Sequence, residues 1–496
     1  MATMTSSPVL QAGDGSPIGL ETILDALRVR FTVATGPIRP LRRARLDTFD
    51  RRLLGAGLTL ERQIVASDER LVLSRADGTT VTMAVTDLRW PALASALPPG
   101  PVRDVVAPVA GVRALLAISD ERRQGRRLEL RNAAGKIVAR VELDEPASRG
   151  GPAQVAVQGL RGYDEQTRRV AKLLTGLGLD AVGVGARPRA AAPPADRAAP
   201  ATALLTAVLG GFLVTMRANL PGVLDDVDTE FLHDFRVAVR RTRSPLKLGR
   251  PALPPVLRSR WEPAFKRVGD LTTPVRDLDV YQLGLPAMAG WLRATDVADL
   301  EAFASHLRRR RSAELGAMVR ALRSSAFTQL TTQWEQSLAL LGDARPEGQD
   351  PLATGELAAR SIARAARRVL RDGAAISGGS PAQDLHRLRG RCKELRYALE
   401  VFAPVIDTGT RRAVADLTGL QDVLGRFQDS EVQHRAIRGF AHEMLVDGVP
   451  AATLLAMGEL IGHLDTEQRR ARGDFDRAFA RFARPSNHPQ LLGSGR

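Results

Sequence analysis

The chain has 496 residues, 44% of them hydrophobic, and a formal net charge of +16. That is enough for two or three domains with sizeable cores. The single Cys392 excludes an intramolecular disulfide framework and any multi-cysteine metal site within one chain. The charge balance points to an anionic partner: nucleic acid, a membrane surface or a phosphate polymer.

In chain order, residues 1–18 are punctuated by Gly, Ser and Pro and read as a flexible N-terminus with no secretion signal. Residues 19–185 read as an α+β domain with antiparallel strands. Leu71–Ser74 and Val81–Val85 are strand-like runs around Asp77-Gly78, a hairpin signal. A second hairpin is expected from Arg127–Arg131 and Ile137–Leu143, with Ala134-Gly135 at its turn. Tyr163–Leu177 has helical periodicity, with Val170, Leu173, Leu174 and Leu177 on one side.

Residues 186–202 form a Pro/Ala linker, a semi-stiff spacer without a core of its own. Residues 203–484 are helical nearly throughout, and 485–496 read as a flexible tail. Breaks at Pro251–Pro255, Gly342–Pro351 and Asp372–Pro381 punctuate the helical region. The middle one divides it into halves, 203–341 and 352–484. The longest apolar run, Ala203–Met216, is short for a bilayer span and carries two glycines. A soluble, cytoplasmic protein is the expectation.

Each half carries the same basic helical phrase. In the first, His233 is followed by Arg236, Arg240 and Arg243; in the second, His386 is followed by Arg389, Lys393 and Arg396. Both place cations at +3, +7 and +10, which share one helix face. Arg241, Lys247 and Arg391 lie beside these stripes, and Arg364 and Arg368 belong to a basic helix upstream of the second. That upstream face fits a second basic wall or a solvated surface equally well. Only five of the 71 basic residues are lysine, so the stripes are largely guanidinium, a bidentate phosphate ligand. Like charges stacked this way repel, and a doubled stripe points to a polyanion between the copies.

A second echo accompanies the first. Arg276-Asp277-Leu278-Asp279-Val280 lies downstream of one stripe and Gln428-Asp429-Ser430-Glu431-Val432 downstream of the other. The offset is 152 residues here and 153 for the stripes, which implies duplication. Asp277, Asp279 and Asp429 fit a supporting role, orienting arginines by charge-assisted hydrogen bonds, with Arg276 the obvious candidate for orientation.

These phrases resemble the CHAD family, the conserved histidine α-helical domain, over about 280 residues. The resemblance rests on the His/Arg stripes, on Arg276–Val280, and on Leu420-Gln421-Asp422-Val423-Leu424-Gly425 with Asp429. It implies two pseudo-symmetric four-helix bundles, a basic central cavity and inorganic polyphosphate as ligand. The N-terminal part resembles a CYTH domain, the triphosphate tunnel fold, through Leu46–Asp50, Leu53–Leu58, Val141–Asp144 and Arg161-Gly162-Tyr163. The family's opening Glu-x-Glu-x-Lys strand is missing; Arg28-Val29-Arg30-Phe31 occupies that region, and Val155–Gln158 is neutral. Without metal-binding carboxylates the expected domain is degenerate and non-hydrolytic, and the whole protein is not an enzyme and needs no cofactor.

Three rival readings of the stripes remain. Nucleic acid is one, although aromatics make up only 4% of the chain and the stripes lack base-stacking rings apart from Tyr397. A His-based metal site is disfavoured by the surrounding arginines, and membrane binding by the lack of aromatic stripes. A triphosphatase acting through the N-terminal domain, or an adaptor docking on polyphosphate granules, completes the alternatives.

Overall fold

The computed structural model describes residues 3–5, 9–12, 19–77, 79–147, 153–181, 196–343, 352–406 and 410–492. The chain divides into two compact units, Met1–Ala190 and Ala191–Arg496. Most of the expected linker, 186–195, and Gly78 of the first hairpin lie outside the described residues.

Among the described residues the first unit is built on an antiparallel sheet of eleven strands. They are β1 (Thr3–Thr5), β2 (Val9–Ala12), β3 (Thr32–Asp47), β4 (Leu58–Val65), β5 (Asp68–Arg75), β6 (Thr80–Ala84), β7 (Ala92–Leu93), β8 (Ala114–Arg131), β9 (Ile137–Pro146), β10 (Gln154–Gly159) and β11 (Leu179–Ala181). The order is β1-β6-β5-β4-β3-β8-β9-β10-β2-β11, with β7 beside β8. Both expected hairpins are present, β5–β6 and β8–β9.

The segment read as flexible supplies two strands: β1 pairs with β6, and β2 with β10 and β11. Arg28 closes a helix, α1 (Leu20–Arg28), so 28–31 is not the opening strand. The strands ahead of it, Thr-Met-Thr and Val-Leu-Gln-Ala, carry no carboxylate.

Period-two alternation sorts the side chains of this sheet into an apolar and a polar face. Leu128, Leu130, Val141, Leu143, Val155 and Val157 pack with α1 and α4 (Asp164–Gly176) in one core. Leu60, Leu71, Leu73, Val81 and Met83 pack with α2 (Arg52–Gly55) and α3 (Pro101–Ala110) in another. The resemblance residue Asp47 has a local task. Its carboxylate accepts from the backbone of Leu53 at 2.9 Å and Leu54 at 3.1 Å, anchoring the start of α2.

The second unit is helical. Its first half contains α5 (Ala201–Leu224), α6 (Thr229–Leu248), α7 (Pro255–Ala289), α8 (Glu301–Leu322) and α9 (Ser325–Asp343). Its second half contains α10 (Thr354–Ala374), α11 (Ala382–Val401), α12 (Arg411–Val446), α13 (Ala451–Phe482) and the short α14 (His488–Leu492), which lies in the expected tail. Where the second half uses one long α13, the first uses α8 and α9, separated at Arg323-Ser324. The α9 helix is tied to α5 by Arg217–Glu335, and α13 reaches α10 where Phe479 covers Gly373.

The halves share a core at the distal ends of their long helices. Leu278, Tyr281 and Met288 of α7 and Phe303 and Leu307 of α8 pack with Ile437, Phe440 and Met444 of α12 and Met457, Leu460 and Leu464 of α13. Sequence repetition predicts two bundles, and this shared core fuses them. The apolar run read as short lies within α5, which by length and composition alone is long and apolar enough to cross a membrane. In this structure its Leu205, Leu209, Leu213 and Met216 row is buried.

Candidate anion-binding site

Both stripe helices are held by apolar rows that leave the cations on one flank. In α6, Asp228 caps the N-terminus by accepting from Glu230 and Phe231 backbone N–H groups, at 2.9 and 3.1 Å. Phe231, Phe235, Ala238, Val239, Thr242 and Leu246 then bury the opposite side. In α11 the matching row is Leu385, Leu388, Cys392, Leu395 and Ala398.

The helices pack against each other, and Arg241 reaches across from α6 to Glu400 of α11 at 3.2 Å. Arg241 is thus a strut between halves. Electrostatically the stripes meet at Arg240 and Lys393. The Lys393 amine is lowered to about 8, first by burial and then by Arg389 and Arg240, with Asp429 opposing and Arg396 adding to the effect. Arg240 is exposed and, among the described residues, makes no hydrogen bond or ion pair.

The +3 arginines are deeper and partly committed. Arg236 Nη1 donates to Gly269 O at 2.9 Å, Thr272 Oγ1 at 2.7 Å and Thr273 Oγ1 at 3.0 Å. Burial lowers its pKa; Asp277 opposes this while Arg240 and Arg276 add to it. Arg389 does the equivalent in the second half, donating to Gln428 at 3.1 Å and Asp429 at 3.3 Å, with Gly425 beside its guanidinium.

These contacts correct the register of the second echo. Gly269, Thr272 and Thr273 stand opposite one arginine as Gly425, Gln428 and Asp429 stand opposite the other, an offset of 156 residues. The structural counterpart of Asp429 is therefore Thr273, and Asp277 lies about one turn farther along α7. Offsets of 152 and 156 differ by four residues, roughly one helical turn, so both put the acid on the same face.

The histidines differ from each other. His233 is half-buried, and its pKa is lowered by burial and by Arg276, against Glu230 and Asp234. His386 Nε2 lies 2.8 Å from Glu431 Oε2 without hydrogen-bond alignment. Neither pair repeats the other.

The supporting carboxylates make their hydrogen bonds elsewhere, and Arg276 acts on Asp277 and Asp279 only electrostatically. Fully buried Asp279 accepts from Arg311 Nε at 2.5 Å, and Arg311 also binds Asp226 at 2.6 and 2.8 Å. Arg276 itself donates to Thr229 O at 3.3 Å and lies 3.6 Å from Glu230. Asp277 faces Arg236 and Arg276 electrostatically from an exposed position.

Several candidates point elsewhere. Arg391 lies 3.3 Å from Asp372 and 3.2 Å from Glu394, and Arg368 is 3.8 Å from the same Glu394. Together they form an ion-pair cluster between α10 and α11, while Arg364 is exposed and unpaired among the described residues. Lys247 sits 3.4 Å from Glu262. Arg396, unlike these, remains on the stripe flank of α11, donating to Gln421 of α12 at 3.3 Å, lying 3.3 Å from Glu400 and sitting over the Tyr397 ring. Arg243 turns toward α7, where Arg243, Arg258, Ser259, Glu262, Pro263 and Lys266 line a groove of about 270 Å³. Arg258 and Lys266 belong to no repeat, and each has a carboxylate of its own helix beside it, Glu262 at 3.9 Å and Asp270 at 2.7 Å.

The CHAD family model matches residues 207–438. Residues 207–438 are a CHAD domain. Among curated proteins none matches the chain. The CHAD domain from the plant Ricinus communis is 26% identical, with 61% of this chain and 98% of that one covered and a TM-score of 0.49. PptA from Streptomyces chartreusis is 20% identical, with 57% and 100% covered and a TM-score of 0.44. A proposed adenylyl cyclase from Hippeastrum with dominant triphosphatase activity is 16% identical, with 38% and 93% covered and a TM-score of 0.24. The CHAD assignment rests on the family match and on the helical geometry above.

Outside the CHAD domain, the polar face of the sheet is filled by internal ion pairs. Asp144 lies 2.5 Å from Arg43 and also binds Arg123, while Glu61 is 3.4 Å from Arg43. Glu142 accepts from Arg127 at 2.8 Å and Arg70 at 3.3 Å. The resemblance carboxylates Glu142 and Asp144 thus face guanidinium groups, whose charge opposes cation binding.

Proposed function

We propose that the CHAD domain binds inorganic polyphosphate along the junction of α6 and α11. The observation carrying this reading is the packing of α6 on α11, which puts Arg240 and Lys393, cations from opposite halves without ion-pair partners among the described residues, within electrostatic reach of each other. Arg236, Arg389 and Arg396 extend the line on either side, each held by neutral or carboxylate oxygens of the adjoining helix. A linear phosphate chain would bridge the cations and remove their mutual repulsion, with His233 and His386 at the ends of the line.

Binding rather than turnover is proposed for the whole protein. The N-terminal carboxylates are engaged by arginines, which supports a structural sheet in place of a metal-assisted triphosphatase. The setting proposed is cytoplasmic, with docking on polyphosphate granules as the physiological use.

Thermal melting of the full chain tests this. Long-chain polyphosphate should raise the melting temperature, and duplex DNA at equal phosphate concentration should not, because ligands stabilise only the state they bind. Unchanged melting at saturating polyphosphate would overturn the reading, and an equal rise with DNA would make the stripes a general basic surface.

A further inference from the structure

Lys393 stands apart from the other lysines. It lies on α11 one turn after Arg389 and three residues before Arg396, on a helix that packs against both α6, which carries Arg240, and α12, which carries Asp429. It is half-buried, and no hydrogen bond or ion pair holds it among the described residues. Lys247 and Lys266, by contrast, are exposed and lie 3.4 Å from Glu262 and 2.7 Å from Asp270. Lys136 and Lys172 are exposed on the N-terminal unit. The neighbouring Cys392 is buried and its thiol pushed up to about 12 by that burial, so it is no competing nucleophile.

We propose that Lys393 is a nucleophilic amine acylated by acyl phosphates, reagents whose phosphate group Arg240, Arg389 and Arg396 bind while the amine attacks the carbonyl carbon. The proposal rests on the anion-binding reading of the same site. The neutral amine's lone pair forms the new N–C bond. The C–O bond to phosphate breaks, and phosphate leaves with that electron pair, stabilised by the guanidinium groups. The nitrogen's proton passes to water, and nothing is oxidised or reduced. The product is a neutral amide, so the reaction deletes a central cation of the site and weakens polyanion binding.

The electrostatics assist. Burial, Arg389 and Arg240 lower the amine to about 8 from 10.5. At pH 7 that leaves roughly a tenth of it unprotonated, some hundreds of times more than an ordinary lysine.

The test uses the full chain, whose five lysines make site assignment by peptide mass spectrometry unambiguous. One sample is treated with acetyl phosphate, a second with formaldehyde and cyanoborohydride, an uncharged route to lysine. Acetyl phosphate should modify Lys393 at least tenfold faster than Lys247 or Lys266, and inorganic tripolyphosphate should suppress that reaction. Formaldehyde should also favour Lys393. Fast methylation without preferential acetylation would overturn the proposal, and the anion-binding reading falls with it only where polyphosphate also leaves the melting temperature unchanged. Slow labelling by both reagents would overturn the nucleophilic amine alone, provided polyphosphate still raises the melting temperature in the same preparation.

Discussion

Replacing Arg240 by alanine isolates one cation of the proposed site at small structural cost. The side chain is exposed and unpaired among the described residues, so its loss leaves no buried partner stranded. A unit charge about 4 Å from a phosphate oxygen contributes ~1 kcal/mol in water and ~4 kcal/mol at an effective dielectric near 20. For this exposed position the lower part of that range applies, about 1–2 kcal/mol, or roughly 5- to 30-fold in Kd. Because one phosphate contact is lost, the slope of log affinity against log salt should also become shallower by about 0.7. Arg391→Ala is the control, since that guanidinium is engaged by Asp372 and Glu394 away from the junction. Calorimetric titration of both variants with polyphosphate at two salt concentrations supplies the comparison. Equal losses in the two variants would refute the placement of the site.

Further outcomes follow from individual residues. Between about pH 8 and 10.5 Lys393 is neutral in the folded state and protonated in the unfolded chain, so stability should rise with pH across that window. Since the anion favours the protonated amine, polyphosphate affinity should fall above pH 8, with proton uptake visible by calorimetry in buffers of different ionisation enthalpy. Asp144→Asn removes a carboxylate from two largely buried arginines and should destabilise the N-terminal unit by about 3 kcal/mol in denaturant unfolding. A Cβ on Gly373 would come within 2.1 Å of the Phe479 ring, so Gly373→Ala should cost about 1–3 kcal/mol, measured as a fall in melting temperature. Cys392 should react with an aromatic disulfide reagent only as the chain unfolds.

Periodicity made much of the architecture legible. The hairpins β5–β6 and β8–β9 followed from alternation around turn residues, and α6 and α11 from cations at helical spacing. What periodicity could not resolve was position along a face. A four-residue shift keeps a side chain on the same flank, so Asp277 and Asp429 matched in sequence while Thr273 and Asp429 occupy equivalent places. Nor does spacing reveal which neighbour a guanidinium meets. Arg391 is two residues from Arg389, about 200° around the helix, and that rotation carries it to Asp372 on α10. The Asp279–Arg311 pair joins α7 to α8 over 32 residues, beyond any local pattern. The strands at 3–5 and 9–12 were hidden by their brevity and by turn-forming neighbours.

The most direct measurement is calorimetric titration of the full chain with long-chain polyphosphate in moderate salt, with duplex DNA as competitor. A site built from cations of both halves predicts tight binding that DNA does not displace. Equal affinity for both polymers, fading together as salt rises, would contradict it.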